Sequence, residues 1–177
     1  MRRRLLAPLI LAAVLGLGLV TGGCGSKTVT TTGASGVATT TTVPKVHFAR
    51  TKFLLHTGLA LGSAGRYILK PYRAGAFKQG APGRRRALAK AAAAGAFAVN
   101  ELRLARNAAL SDDTLRPLAA KLVGVSGLAS GLLPSLATGS LDPLKLAGLG
   151  ASAAGVLTLA KKLGAPVTEQ VPPTLGG

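Results

Sequence analysis

Apart from one cysteine, Cys24, the groups that could bind a metal or move a proton near neutral pH are two histidines and five carboxylates. His47 and His56 are nine residues apart. At roughly 100° per helical residue they fall on opposite faces of one helix and cannot share a metal. Asp112 and Asp113 belong to a Ser111-Asp112-Asp113-Thr114 cluster suited to capping a helix, with Asp113 or Thr114 as the expected cap. Asp142 precedes Pro143 at a helix start, and Glu169 lies in the last segment. Glu101 alone sits within a helix, near Arg103 and Arg106, where a surface ion pair is expected rather than a general base. The chain contains no HExxH, no GxSxG and no cysteine pair. It reads as a non-enzyme with no cofactor and no metal. A deep pocket holding His56 with Glu101 would point the other way, to an enzyme.

Cys24 is the residue with a specific chemistry. Arg2, Arg3 and Arg4 precede an uncharged apolar run from Leu5 to Val20, which ends in Val20-Thr21-Gly22-Gly23-Cys24. A positive segment, an apolar segment and small residues at a cut site describe a secretory signal. These residues resemble the lipobox of bacterial lipoproteins, with Thr21 where leucine is commoner. The resemblance implies cleavage before Cys24, a diacylglycerol on its sulfur and an acylated (palmitate-bearing) amine. It places the protein at the cell membrane, lipid-anchored on the extracytoplasmic face. Two or three chains hold well, whereas one binds marginally at ~0.8 kcal/mol per buried CH₂. Two alternatives stay open. The 22 uncharged residues from Leu5 to Ser26 are long enough to remain as a membrane helix, and an ordinary secretory signal has the same layout.

Cleavage would leave 154 residues with 19 basic and 5 acidic side chains, a net charge of +14. Such a charge calls for an anionic neighbour. All six aromatics, Phe48, Phe53, Tyr67, Tyr72, Phe77 and Phe97, lie in the first half of the mature chain. From Lys45 to Lys90 there are 11 basic residues and no acid. The candidate anionic-surface contacts are Lys52, Arg66, Lys70, Tyr72, Arg73, Lys78, Arg84, Arg85 and Arg86. Interleaved basic and aromatic residues suit a headgroup layer or a nucleic-acid strand. An extracytoplasmic address selects anionic lipid or cell-wall polymer and excludes nucleic acid. The competing reading is that the aromatics anchor a core otherwise built of alanine, glycine and leucine, and the charges are solvated.

The expected fold is all-α, about four antiparallel helices in a small bundle. It follows a signal peptide (1–23) and a Thr-rich linker (24–44). The helical domain covers 45–165 and a disordered tail 166–177. The linker has eight threonines between Thr28 and Thr42 and no apolar period, so it should be a flexible coil spanning about 25 Å. The first helix is expected over 46–70, ended by Pro71. Its apolar stripe carries Gly58, Gly62 and Gly65, which suggests that another backbone passes close by; His56, Ser63 and Arg66 fall on the other side. A second helix over 84–110 has Leu88, Ala91, Gly95, Ala98, Leu102, Ala105 and Ala109 inward. The third reaches about Ala137, and the fourth follows Ser140 and ends before Gly164. Residues 122–141 match a membrane span in length, but the proline and glycines favour a soluble helical pair over an inserted hairpin.

The stretches Phe48-Ala49-Arg50-Thr51-Lys52-Phe53-Leu54-Leu55-His56-Thr57-Gly58 and Arg66-Tyr67-Ile68-Leu69-Lys70-Pro71-Tyr72 are similar to exported helical proteins of high-GC bacteria without an assigned function. That resemblance carries no activity across. The function expected is a membrane-anchored binding or scaffolding protein of the envelope, using its basic first half. The alternative is a protein-interaction or oligomerisation module working through glycine- and alanine-faced helices.

Overall fold

A computed structural model describes residues 25–32 and 38–172. The expected signal segment, 1–23, and the candidate lipid site Cys24 lie outside the described residues. The fold is all-α, a small bundle of about four antiparallel helices, preceded by a two-stranded ribbon. The ribbon pairs β1 (Ser26–Thr32) with β2 (Ala38–Pro44), antiparallel, with Ser26 opposite Pro44 and Thr32 opposite Ala38. The expected flexible linker is therefore a hairpin. β-Branched threonines favour extended backbone and pair across strands, as Thr30 and Thr40 do through their hydroxyls at 3.3 Å. The hairpin also shortens the spacer. Lys45 N–H donates to the Gly25 carbonyl at 2.6 Å, so the chain returns to the level at which it started.

The first bundle helix is longer than its proline suggests. α1 (Ala49–Ala64) passes into a π-helical segment, Gly65–Leu69, and then into α2 (Lys70–Arg73). Lys70 N–H donates to the Gly65 carbonyl, five residues back. An extra residue in the turn directly before Pro71 accommodates a ring that would clash with a regular helical carbonyl. The helix therefore continues through Pro71 and ends at Arg73.

α3 (Arg84–Ser111) is the central element, packed against both α1 and α4 (Arg116–Thr138). Its inner face is the expected one, with Leu88, Ala91, Gly95, Ala98, Leu102, Ala105 and Ala109 all buried. Small side chains let α1 and α4 come close, and the bulk is supplied by Phe53, Leu118, Leu122 and Leu136, which are fully enclosed. α5 (Pro143–Lys162) packs on α4 and has no comparable contact with α1 or α3. α4 and α5 are long and apolar enough to cross a membrane, with mean hydropathy 1.3 in each. A packed core helix satisfies the same criterion. α4 supplies seven buried residues to the bundle, which fits that reading.

Capping departs from expectation at one junction. Asp112, not Asp113 or Thr114, accepts from the Thr114 and Leu115 amides at 2.9 and 3.2 Å ahead of α4. Asp113 pairs instead with Arg116. Asp142 caps α5 through the Leu144 amide at 2.8 Å. At the far end of α5, the Arg50 guanidinium donates to the Leu163 and Gly164 carbonyls, a cation placed where the helix dipole is negative.

Residues 166–172, expected to open a disordered tail, cross α1 as an ordered strap. Gln170 N–H donates to the Gly58 carbonyl at 2.9 Å. A Cβ on Gly58 would meet the Thr168 carbonyl, and one on Gly62 the backbone of Gln170. The backbone anticipated from the glycine stripe is thus the chain's own C-terminal segment. Ala165 is fully buried, and Val167 packs on the core beside it.

Candidate functional site

The connector between α2 and α3, the first turn of α3 and the turn between α4 and α5 meet at one end of the bundle. They enclose a cleft of about 630 Å³ whose polar lining includes Tyr72, Arg73, Lys78, Arg84, Thr138 and Ser140. Two further recesses lie in the same region, the first sharing Arg84 and Thr138 with the cleft. One, of about 420 Å³, lies beside Arg84 and Arg85, and the other, of about 570 Å³, beside Arg86, Lys90, Tyr67 and Pro71. Among the described residues no carboxylate lines any of the three.

Local sequence explains the shape. Gly75, Gly80 and Gly83 adopt positive φ in the connector, which folds back on itself and buries Phe77 beneath it. The Arg84 Nε donates to the Phe77 carbonyl at 2.9 Å, and its Nη2 to the Thr138 carbonyl at 3.3 Å. Arg84 thus ties the connector to the C-terminus of α4, where a cation is favoured. Gly139 at φ +76° ends α4 against this guanidinium, and a side chain there would collide with it.

The nine sequence candidates divide. Tyr72, Arg73, Lys78 and Arg84 share the main cleft, with Arg85 and Arg86 in the two further recesses. Arg66 stacks over the Tyr67 ring with 5.8 Å to its centroid. Lys70 is exposed and lines none of the recesses. Lys52 is exposed too, but it lies in the first turn of α1, 21 residues before Arg73 and about 30 Å away along the helix. Phe53 and Phe77 are core anchors rather than surface contacts, whereas Phe48 is 82% exposed. Sequence reading missed Lys90, Thr138 and Ser140. The two hydroxyls, 2.7 Å apart, reach the cleft from a turn about sixty residues on from the connector, and no local pattern announces that.

Glu101 is not a surface residue. It is 6% exposed and its Oε2 lies 2.7 Å from His56 Nδ1, across the α1–α3 interface. His56 and the fully buried Ser63 therefore face inward, contrary to the expected helix face. The narrow, alanine-rich side of α3 admits small or paired polar groups on α1; Ser63 satisfies its hydroxyl on the Ala60 carbonyl at 3.0 Å. The His56–Glu101 pair lines none of the basic recesses. Among the described residues no three of His, Cys, Asp and Glu come together. No protein-family model matches the chain, and neither a curated protein nor a solved structure matches it.

Proposed function

We propose that the protein is a lipid-anchored, extracytoplasmic envelope protein, non-enzymatic, whose basic end holds an anionic polymer of the cell envelope. The observation that carries this reading is the carboxylate-free set of clefts around Arg73, Lys78, Arg84, Arg85, Arg86 and Lys90. Membrane lipid is the partner of Cys24 through its acyl chains. No nucleic-acid partner follows from that compartment.

Geometry favours wall polymer over lipid headgroups as the partner of the clefts. Gly25, the residue after Cys24, is hydrogen-bonded to Lys45. Val46 N–H in turn donates to Ser111 Oγ, at the C-terminal end of α3. An anchor at Cys24 would therefore hold the Ser111 end of the bundle at the membrane. Arg84 begins the same 28-residue helix, so the basic end lies about 40 Å away along α3. Attraction to a charged leaflet falls off within about 8 Å at physiological ionic strength. An upright domain presents its basic clefts to the wall, not to the bilayer.

The test uses the full chain in neutral-lipid nanodiscs with a purified anionic wall polymer, at two salt concentrations. Binding should weaken with salt. Arg73→Ala and Lys78→Ala should each reduce it by about fivefold. Equal, weak binding to anionic and uncharged polymers would refute the reading. A second reading, self-association, is favoured by Gly124, Gly127 and Gly131 on α4, where an added Cβ would meet nothing among the described residues. Sedimentation of the same particles separates the two, since a tight oligomer without salt-sensitive polymer binding selects the second.

A further inference from the structure

We propose a second site: the cavity between α5 and the α1–α3 pair takes the chain of a single-chain anionic amphiphile, a long aliphatic carboxylate, and Arg73 holds its head. The cavity measures about 400 Å³, within the range of about 300–1,000 Å³ usual for small-molecule sites. It exists because α5 packs mainly on α4, and because alanines and glycines such as Ala64, Ala129, Gly150 and Ala153 face the gap.

The lining selects the ligand. Leu61, Ile68, Leu102, Leu149 and Leu157 are among its larger apolar side chains, and among the described residues no aromatic ring and no hydroxyl lines it. A sugar or a nucleotide would leave its polar groups unpartnered there. Water would fare no better, since it needs two or more polar partners. An aliphatic chain loses nothing. At ~30 Å³ for each water-sized group, the cavity accommodates about a dozen methylenes.

The charged residues at its boundary are Arg73 and Glu169. Arg73 also lines the basic cleft, so it stands where the apolar cavity opens toward positive charge. Its guanidinium is in neither of the ion pairs among the described residues, and it has the fork geometry that suits a carboxylate. Glu169 rides on the strap, over Gly65, and its charge opposes an anion. Neutralising it should therefore tighten binding, while neutralising Arg73 should loosen it.

The experiment uses the full chain in neutral-lipid nanodiscs and a photoreactive fatty carboxylate of about twelve carbons with its reactive group near the chain end. Cross-links mapped by mass spectrometry should fall on 149–157 of α5 and on 61–68. Competing saturated carboxylates should gain about fourfold in potency per methylene up to about a dozen carbons and then level off. Ala153→Phe, which fills the cavity, should reduce labelling by about tenfold or more; Leu157→Phe serves if the first variant fails to fold. Arg73→Gln should weaken carboxylates and leave the matching alcohols unchanged, and Glu169→Gln should strengthen the acids. Labelling confined to the signal segment or the outer faces of α4 and α5, or labelling indifferent to Ala153→Phe, overturns the proposal. Neither Ala153 nor Leu157 lines the basic clefts, so polymer binding should survive both substitutions. Failure here leaves the polymer reading standing, and the reverse holds.

Discussion

Gly62→Ala sets two effects of similar size against each other at one atom. In an isolated helix the change is favourable, because alanine is preferred over glycine by about 1 kcal/mol. Here the new Cβ would lie within 3.0 Å of the carbonyl oxygen, carbon and nitrogen of Gln170. These are backbone atoms, so no side-chain rotation relieves the overlap; the strap must leave. Its departure costs the hydrogen bond from Gln170 N–H to Gly58, about 1 kcal/mol net, and part of the packing of Val167. The two terms nearly cancel in global stability. They do not cancel locally. The melting midpoint should move by only a few degrees, while the Gln170 amide should exchange with solvent about tenfold faster or more. Hydrogen exchange read by NMR or by peptide mass spectrometry measures this directly. Gly65→Ala is the control, since its Cβ would meet only the Glu169 carboxylate at an ordinary 3.7 Å. If Gly62→Ala leaves Gln170 as protected as in the parent chain, the strap does not lie where its hydrogen bond puts it.

The His56–Glu101 pair should obey the rule for enclosed polar pairs. His56→Leu leaves the Glu101 carboxylate, 6% exposed, without its partner, and should cost about 3 kcal/mol in denaturant unfolding; His56→Leu with Glu101→Leu should recover most of that, and a double variant weaker than the single one would contradict this account. Gly127 is exposed on α4, and among the described residues nothing lies near the position a Cβ would take. Gly127→Ala should therefore stabilise by roughly 0.5–1 kcal/mol through helix propensity alone, unless that surface is buried in an oligomer, in which case dissociation appears in sedimentation. If Cys24 carries the proposed acyl chains, Cys24→Ser should prevent incorporation of labelled palmitate and release the protein from stable membrane attachment at physiological salt, because basic side chains add only about 1 kcal/mol each at an anionic surface and are screened within about 8 Å; unchanged membrane retention refutes it, and a retained signal segment shows in the mass of the product.

Helical periodicity was enough for the four-helix plan, because alanine- and leucine-rich runs bounded by Gly83, Asp142, Gly164 and their neighbouring prolines carry their own start and stop signals. The inner face of α3 was legible for the same reason: a period of 3.6 is a property of the sequence. The stripe of Gly58 and Gly62 showed that some backbone comes close, but not which one. That required the strap, whose own residues have no periodicity and whose path is seen only where it lies against α1. The continuation through Pro71 also escaped a local rule, because a π-turn at 65–69 changes which carbonyl the ring would meet. The Thr-rich segment read as a flexible coil because composition names no strand partner, so the hairpin, and with it the short distance from Gly25 to Lys45, was not readable.

For function, the basic charge and the candidate lipid site at Cys24 are properties of composition and order, and they belong to the sequence alone. Tertiary structure decided which charges act together. It left Lys52 about 30 Å from Arg73, made Arg84 a tie between connector and helix end, and turned Glu101 from a surface acid into the buried partner of His56. The physical reason is distance: charge counts add along a chain, but interactions between side chains depend on separations that only the packing of α1, α3 and α4 sets.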